Sequence, residues 1–130
     1  MLKISREVEL GLLLVVELAR KPKQILSLKE WAEKRGLPYR FLSKVAVKLK
    51  KAKILISKEG RAGGYLLAKT ASKIKVGEVV RGFQGPVKAV RCLSGGKCGC
   101  ESFCGHKDLM ESLSLVVEKQ LDKVSVKDLC

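Results

Sequence analysis

The sequence predicts a mainly α fold with a small β-hairpin wing: a winged helix-turn-helix followed by a long C-terminal dimerisation helix. Three observations predict it. Apolar residues recur at helical spacing in the first fifty residues, broken by a tight Gly-Leu-Pro turn. Two short apolar runs then flank a glycine-rich basic loop. A last stretch, about 107–124, is helical in period again and follows a loop crowded with cysteines.

Val8, Leu12, Val15 and Ala19 place a first helix over roughly 4–20, ended by Lys21-Pro22-Lys23. Ser27-Leu28-Lys29-Glu30 has the form of a capping box and starts a second helix. Gly36 suits the left-handed position that closes it, so this helix is short. A third helix runs from about Tyr39 to Ala52. Ile54-Leu55-Ile56 and Tyr65-Leu66-Leu67 are the strands of a hairpin whose tip carries Glu59, Gly60, Arg61, Gly63 and Gly64. A short helix follows over about Val76 to Phe83, then a loop over 85–107. In the final helix Leu109, Met110, Leu113, Val116, Val117, Leu121 and Val124 share one side, a stripe that two copies crossing, packing on the chain's own first helix, or both together would bury. The expected organisation is a DNA-binding unit over 1–84, a cysteine loop over 85–107, and a dimerisation helix with its tail over 108–130.

The chain has 130 residues, the size of about one domain. Its charge is unevenly spread. Residues 1–85 carry 20 basic and 7 acidic side chains, a net of +13, whereas residues 86–130 carry 7 and 6, a net of +1. The excess on the first part points to a polyanion-binding unit. The longest apolar stretch, Leu10 to Val16, is too short for a membrane span, which needs roughly 18–20 residues. Met1-Leu2-Lys3-Ile4 leads straight into a charged amphipathic pattern, so no secretory leader is expected. Five cysteines, four of them crowded between 92 and 104, argue against a secreted disulfide scaffold and for a reducing, cytoplasmic setting.

Within the third helix Arg40, Lys44, Lys48 and Lys51 form one stripe, and Leu42, Val45, Leu49 and Ala52 a second, nearly opposite. One face is built for burial and the other to meet an anion. A lysine-rich face is ordinarily just solvated. This one lies on the second helix of a helix-turn-helix, beside a basic hairpin, where double-stranded DNA is the expected partner. Tyr39, Arg40, Ser43 and Lys44 are placed to read base edges, while Lys48 and Lys51 suit phosphates. Arg61 at the wing tip suits a minor groove. Val47 is either a thymine-methyl contact or a core residue.

Cys92, Cys98, Cys100 and Cys104 occupy thirteen residues on a glycine-rich loop, and His106 follows. Soft thiolates select iron–sulfur clusters, zinc or Cu(I). The spacing is not that of a zinc ribbon. Bare thiols acting as a redox switch are a further option, with Lys97 and Lys107 near enough to favour thiolate. Cys130 reads as part of a tail. No catalytic constellation accompanies the lone histidine, so an enzyme is not expected.

The sequence resembles the Rrf-two family of bacterial transcriptional regulators, in particular its iron–sulfur group of IscR-like and NsrR-like proteins. The resemblance rests on Leu2-Lys3-Ile4-Ser5, Leu37-Pro38-Tyr39-Arg40-Phe41-Leu42-Ser43, the wing Gly63-Gly64-Tyr65-Leu66-Leu67, the cysteine triplet and Val124-Ser125-Val126-Lys127-Asp128-Leu129. It implies a homodimeric regulator whose 2Fe-2S or 4Fe-4S cluster is held by Cys92, Cys98 and Cys104. It also implies a fourth ligand, for which Glu9 of a partner subunit, His106 and Cys100 are the candidates. Some relatives place a histidine three residues past the last cysteine; here that residue is Lys107. Glu59 stands where a basic wing residue is common. The competing readings are a winged-helix DNA binder with structural zinc or with a bare-thiol or small-ligand switch, and a redox or cluster-carrier protein that docks an acidic partner.

Overall fold

A computed structural model describes residues 3–95, 98–100 and 102–130. Met1, Leu2 and Lys97, which entered the expectations above, lie outside the described residues. Five α-helices and one hairpin follow in the expected order. They are α1 (Arg6–Arg20), α2 (Leu28–Arg35), α3 (Tyr39–Lys51), β1 (Leu55–Lys58), β2 (Gly64–Leu67), α4 (Val76–Gln84) and α5 (Lys107–Lys123). Short 3-10 turns stand at Ala71–Lys73, Arg91–Ser94 and Val126–Leu129.

Each helix boundary has a local cause. Ser5 caps α1 by accepting from Val8 N–H. Ser27 caps α2 by accepting from Glu30 N–H at 3.4 Å, the one arm of the expected capping box that is made. Gly36 closes α2 at φ 66°, a left-handed conformation that costs glycine no Cβ clash. Pro38 then presets the entry to α3.

The helix α1 lies at the centre. Its Leu10, Leu14, Val15 and Leu18 are buried against Trp31, Ala32, Leu42, Val45, Ala46, Leu49, Ile54 and Val79. The buried face of α1 is therefore wider than the Val8-Leu12-Val15-Ala19 stripe, and Leu12 and Ala19 are only half-buried. On α3, Ala46 joins Leu42, Val45 and Leu49 in the core, while Ala52, expected among them, falls past the helix end and is exposed.

Antiparallel pairing sets Leu55 opposite Leu67 and Lys58 opposite Gly64. The paired glycines of the wing answer two close backbone approaches. A Cβ on Gly63 would lie 2.5 Å from the Lys58 carbonyl oxygen, and one on Gly64 2.1 Å from that of Leu26. The second approach lets Leu26 and Tyr65 exchange two backbone hydrogen bonds, at 2.9 and 3.0 Å, tying the wing to the segment before α2.

The chain end returns to the segment before α4. Val76 N–H donates to the Val124 carbonyl and Val126 N–H to that of Ile74, so residues 124–126 pair with 74–76. Val126 is wholly buried in the main core. A second cluster of Val8, Val76, Val80 and Val87 receives Val117, Leu121 and Val124 from the C-terminal part of α5 and just beyond. That end of the expected apolar stripe is covered, and Met110 near its start is half-buried. Leu109, Leu113 and Val116 remain exposed, together with Leu115.

Candidate nucleic-acid interface and cysteine loop

Helix α3 presents its cationic face to solvent because its four buried residues all point into the core. Arg40, Lys44 and Lys51 are exposed, as is Tyr39, and Ser43 is half-buried. Val47 is 46% exposed, which settles its direction: it lies outside the core, on the cationic side. Lys48 is placed differently from its stripe-mates. Its ammonium donates to both carboxylate oxygens of Glu7 on α1, at 2.7 and 2.9 Å. That pairing spans 41 residues, and no local signal marks it. Lys50, not among the expected contacts, donates to Ser57 Oγ at 2.8 Å and braces α3 against β1. The wing tip carries exposed Arg61 beside exposed Glu59, with Gly60 at φ 104°. The cationic side of α3 is thus flanked by side-chain bonds, on one side to Glu7 and on the other to Ser57 of β1.

The cysteine loop is fastened at its near end. Ser114 and Glu118 are one helical turn apart on α5. Ser114 Oγ accepts from Ala89 N–H at 2.7 Å, and Glu118 Oε1 accepts from Val87 N–H. The other oxygen of Glu118 takes a 2.6 Å bond from Arg81 of α4, whose second amino group reaches Asp122 at 2.8 Å. Asp122 first, then Glu118, hold the Arg81 guanidinium more firmly protonated than usual, against a modest cost of burial. One edge of α5 therefore grips both α4 and the arm of the loop. No local feature of the sequence marks Arg81 as the partner of these acidic residues, 37 and 41 residues away.

All five cysteines are free. Cys92 and Cys100 are exposed, Cys98 and Cys104 half-buried, and Cys104 Sγ lies 3.9 Å from His106 Nδ1. The donors are soft thiolates with one imidazole, a chemistry that fits an iron–sulfur or zinc centre. Among the described residues no three His, Cys, Asp or Glu side chains gather closely enough to hold a metal ion within one chain. Glu9 is paired with Arg6 at 3.2 Å. It lines a cleft of about 830 Å³ with Leu12, Leu13, Val16, Trp31 and Leu37. Cys130 sits in the last turn, its thiol 3.5 Å from the Val126 carbonyl oxygen. Among the described residues no helix is long and apolar enough to cross a membrane.

Comparison with known proteins places these features in one context. The profile of the Rrf2 family, described as an iron-dependent transcriptional regulator, matches residues 4–130. An rrf2-like HTH-type transcriptional regulator of Rhodobacter capsulatus is 36% identical over 95 residues, covering 70% of this chain and 63% of that one. The HTH-type transcriptional regulator IscR of Escherichia coli is 39% identical over 82 residues, 63% of this chain and 48% of its own length. The chain thus spans about half to two-thirds of these relatives. Among solved structures, CymR of B. subtilis, described as a global cysteine regulator, superposes with a TM-score of 0.79 at 28% identity, over 99% of this chain and 96% of that one. IscR of T. potens gives 0.75 at 29% identity, over 98% and 85%. An oxidized form of Staphylococcus aureus CymR gives 0.77 at 29%, over 98% and 95%.

Proposed function

The chain belongs to the Rrf2 family of DNA-binding transcriptional regulators, and from that premise we propose that it is a homodimeric, sequence-specific regulator whose DNA affinity is set by an iron–sulfur cluster on its cysteine loop. The observation that carries the proposal is the linkage built on α5. Ser114 and Glu118 hold the arm of the loop, and Glu118 and Asp122 hold Arg81 of the DNA-binding unit.

In this reading Tyr39, Arg40, Ser43 and Lys44 face base edges. Lys51 meets phosphate, Arg61 enters a minor groove, and Lys48 adds a phosphate contact when released by Glu7. Cys92, Cys98 and Cys104 hold the cluster, with Glu9 of the partner, His106 or Cys100 completing it. When bound, such a group supplies a centre that reacts to redox change or nitric oxide. The chain's own part is mechanical: a change in the loop pulls on Val87 and Ala89, and the α5 edge passes it to α4 through Arg81. A useful switch needs the two states to differ in DNA affinity by about 5–150-fold.

Homodimerisation is supported by the four apolar side chains left open on the N-terminal part of α5. The cleft beside Glu9 offers a complementary apolar wall. A second reading, a bare-thiol switch on the same scaffold, is favoured by the free and mostly separate cysteines and by the similarity to a regulator solved in an oxidized form.

The deciding experiment is a visible spectrum with iron and sulfide analysis on anaerobically purified protein, followed by DNA binding with and without the chromophore. Matched iron and sulfide, lost in a Cys92/Cys98/Cys104→Ala variant, together with DNA affinity that follows the chromophore, is the expected result. Colourless protein after reconstitution, with DNA affinity that instead follows thiol oxidation, replaces the cluster by the thiol switch.

A further inference from the structure

The centre of the DNA-facing side of α3 is not wholly cationic. At about 100° per residue, Arg40, Lys44, Val47 and Lys51 fall within roughly 60° of one another. They lie opposite the buried set Leu42, Val45, Ala46 and Leu49. Lys48 lies to one flank, against Glu7, and Lys50 to the other, against Ser57. Within that arc, and between Lys44 and Lys51 along the helix, stands Val47, a β-branched aliphatic that is 46% exposed. It contributes little to the core, and valine is a weaker helix former than the lysines around it. Its position is one that a helix in a major groove presents to the bases rather than to the phosphates at the groove walls.

We propose that Val47 is a specificity-determining residue that packs on the 5-methyl group of a thymine in the target site. The proposal rests on DNA binding through α3 and names part of what that helix reads. An aliphatic side chain has no hydrogen bond to offer a base edge. The thymine methyl is the one feature of the major-groove edge that apolar contact recognises. Lys48 and Lys50 stand on the two flanks of Val47, drawn to Glu7 and Ser57, which leaves it uncovered toward the floor of the groove.

The test removes one methyl at a time. A duplex is selected from a random pool by the wild-type protein, and each thymine in it is replaced singly by deoxyuridine, which differs only by that methyl. At one position the wild-type protein is expected to lose about fourfold in affinity, the value of one buried methyl. Val47→Ala, which retracts two methyl groups from the surface, should bind the thymine and deoxyuridine duplexes equally. If no deoxyuridine weakens the wild type, or if the loss is the same in Val47→Ala, the assignment of Val47 is overturned while DNA binding through α3 stands. A pool from which the wild type enriches no sequence overturns base reading by α3, and the role of Val47 with it. Val47 is outside the core, and thermal melting of Val47→Ala at the wild-type temperature confirms that the comparison is between folded proteins.

Discussion

With α3 docked on DNA as proposed, the pairing of Lys48 with Glu7 holds back one cation, and releasing it should strengthen binding by an amount that can be worked out. In Glu7→Gln the two bonds of 2.7 and 2.9 Å lose their charge partner, and the ammonium becomes free to meet a phosphate. One phosphate contact scales with salt to a power of about 0.9, so it is worth roughly eightfold at about 0.1 M relative to 1 M. The folding cost is small by comparison. The side chains are 42% and 27% exposed, and such a pair contributes at most about 1 kcal/mol. Fluorescence anisotropy on a labelled random-sequence duplex, between about 50 and 200 mM salt, reads both quantities. The expected result for Glu7→Gln is a several-fold gain in affinity and a salt slope steeper by about 0.9. Glu111→Gln, which adds the same charge on an exposed part of α5, serves as the control. Adding Lys48→Ala to Glu7→Gln should cancel the gain. If Glu7→Gln and Glu111→Gln change affinity and slope alike, the effect is bulk charge and the reasoning about Lys48 is wrong.

Other outcomes follow from the same structure. Gly64→Ala places a Cβ 2.1 Å from the Leu26 carbonyl oxygen, a backbone atom that cannot step aside cheaply. It should cost about 1–3 kcal/mol, the usual range for overpacking, and hydrogen exchange should show the loss first at Leu26 and Tyr65. Leu115→Ser and Val116→Ser, on the open part of α5, should lower self-association in sedimentation and leave the melting of the helices nearly unchanged; unaltered self-association would count against α5 as the dimer contact. Burial works to raise the Glu78 pKa, yet the Lys69 ammonium at 2.8 Å and the Lys75 backbone N–H outweigh it and leave the carboxyl below its ordinary value. A lowered folded pKa contributes stability above the unfolded value of about 4.3 and loses it as pH falls through the folded value. The stability gap between wild type and Glu78→Gln should therefore narrow on acidification from about pH 6 to pH 3, and a gap constant across that range would rule out the pairing.

Much of the fold was legible in the sequence because its signals are local. The periodicity of Val8 to Ala19, the cap at Ser27, the left-handed Gly36 and the glycines of the wing each act within a few residues, and the structure repeats them within a residue or two. The cationic face of α3 was legible for the same reason, since a helix fixes which residues lie opposite Leu42 and Val45 whatever it packs on. Local pattern could not tell which side chains would meet across the chain. Lys48 belongs to the cationic stripe by spacing and to Glu7 by proximity. Val47 had two readings until the packing of Ala46 turned it outward.

By itself, then, the sequence determined the order and type of the elements, the positive sign of the exposed α3 face and the thiol chemistry of the loop, all properties of neighbouring residues. Only the tertiary structure decided that α5 grips Arg81 with Glu118 and Asp122, at separations of 37 and 41 residues. Only it decided that Val126 returns to the core beside Ile74, and that the first half of the α5 stripe stays open. The physical reason is common to all three. A carboxylate, a valine or an apolar stripe carries no mark of its partner, and the partner is chosen by where the rest of the chain packs.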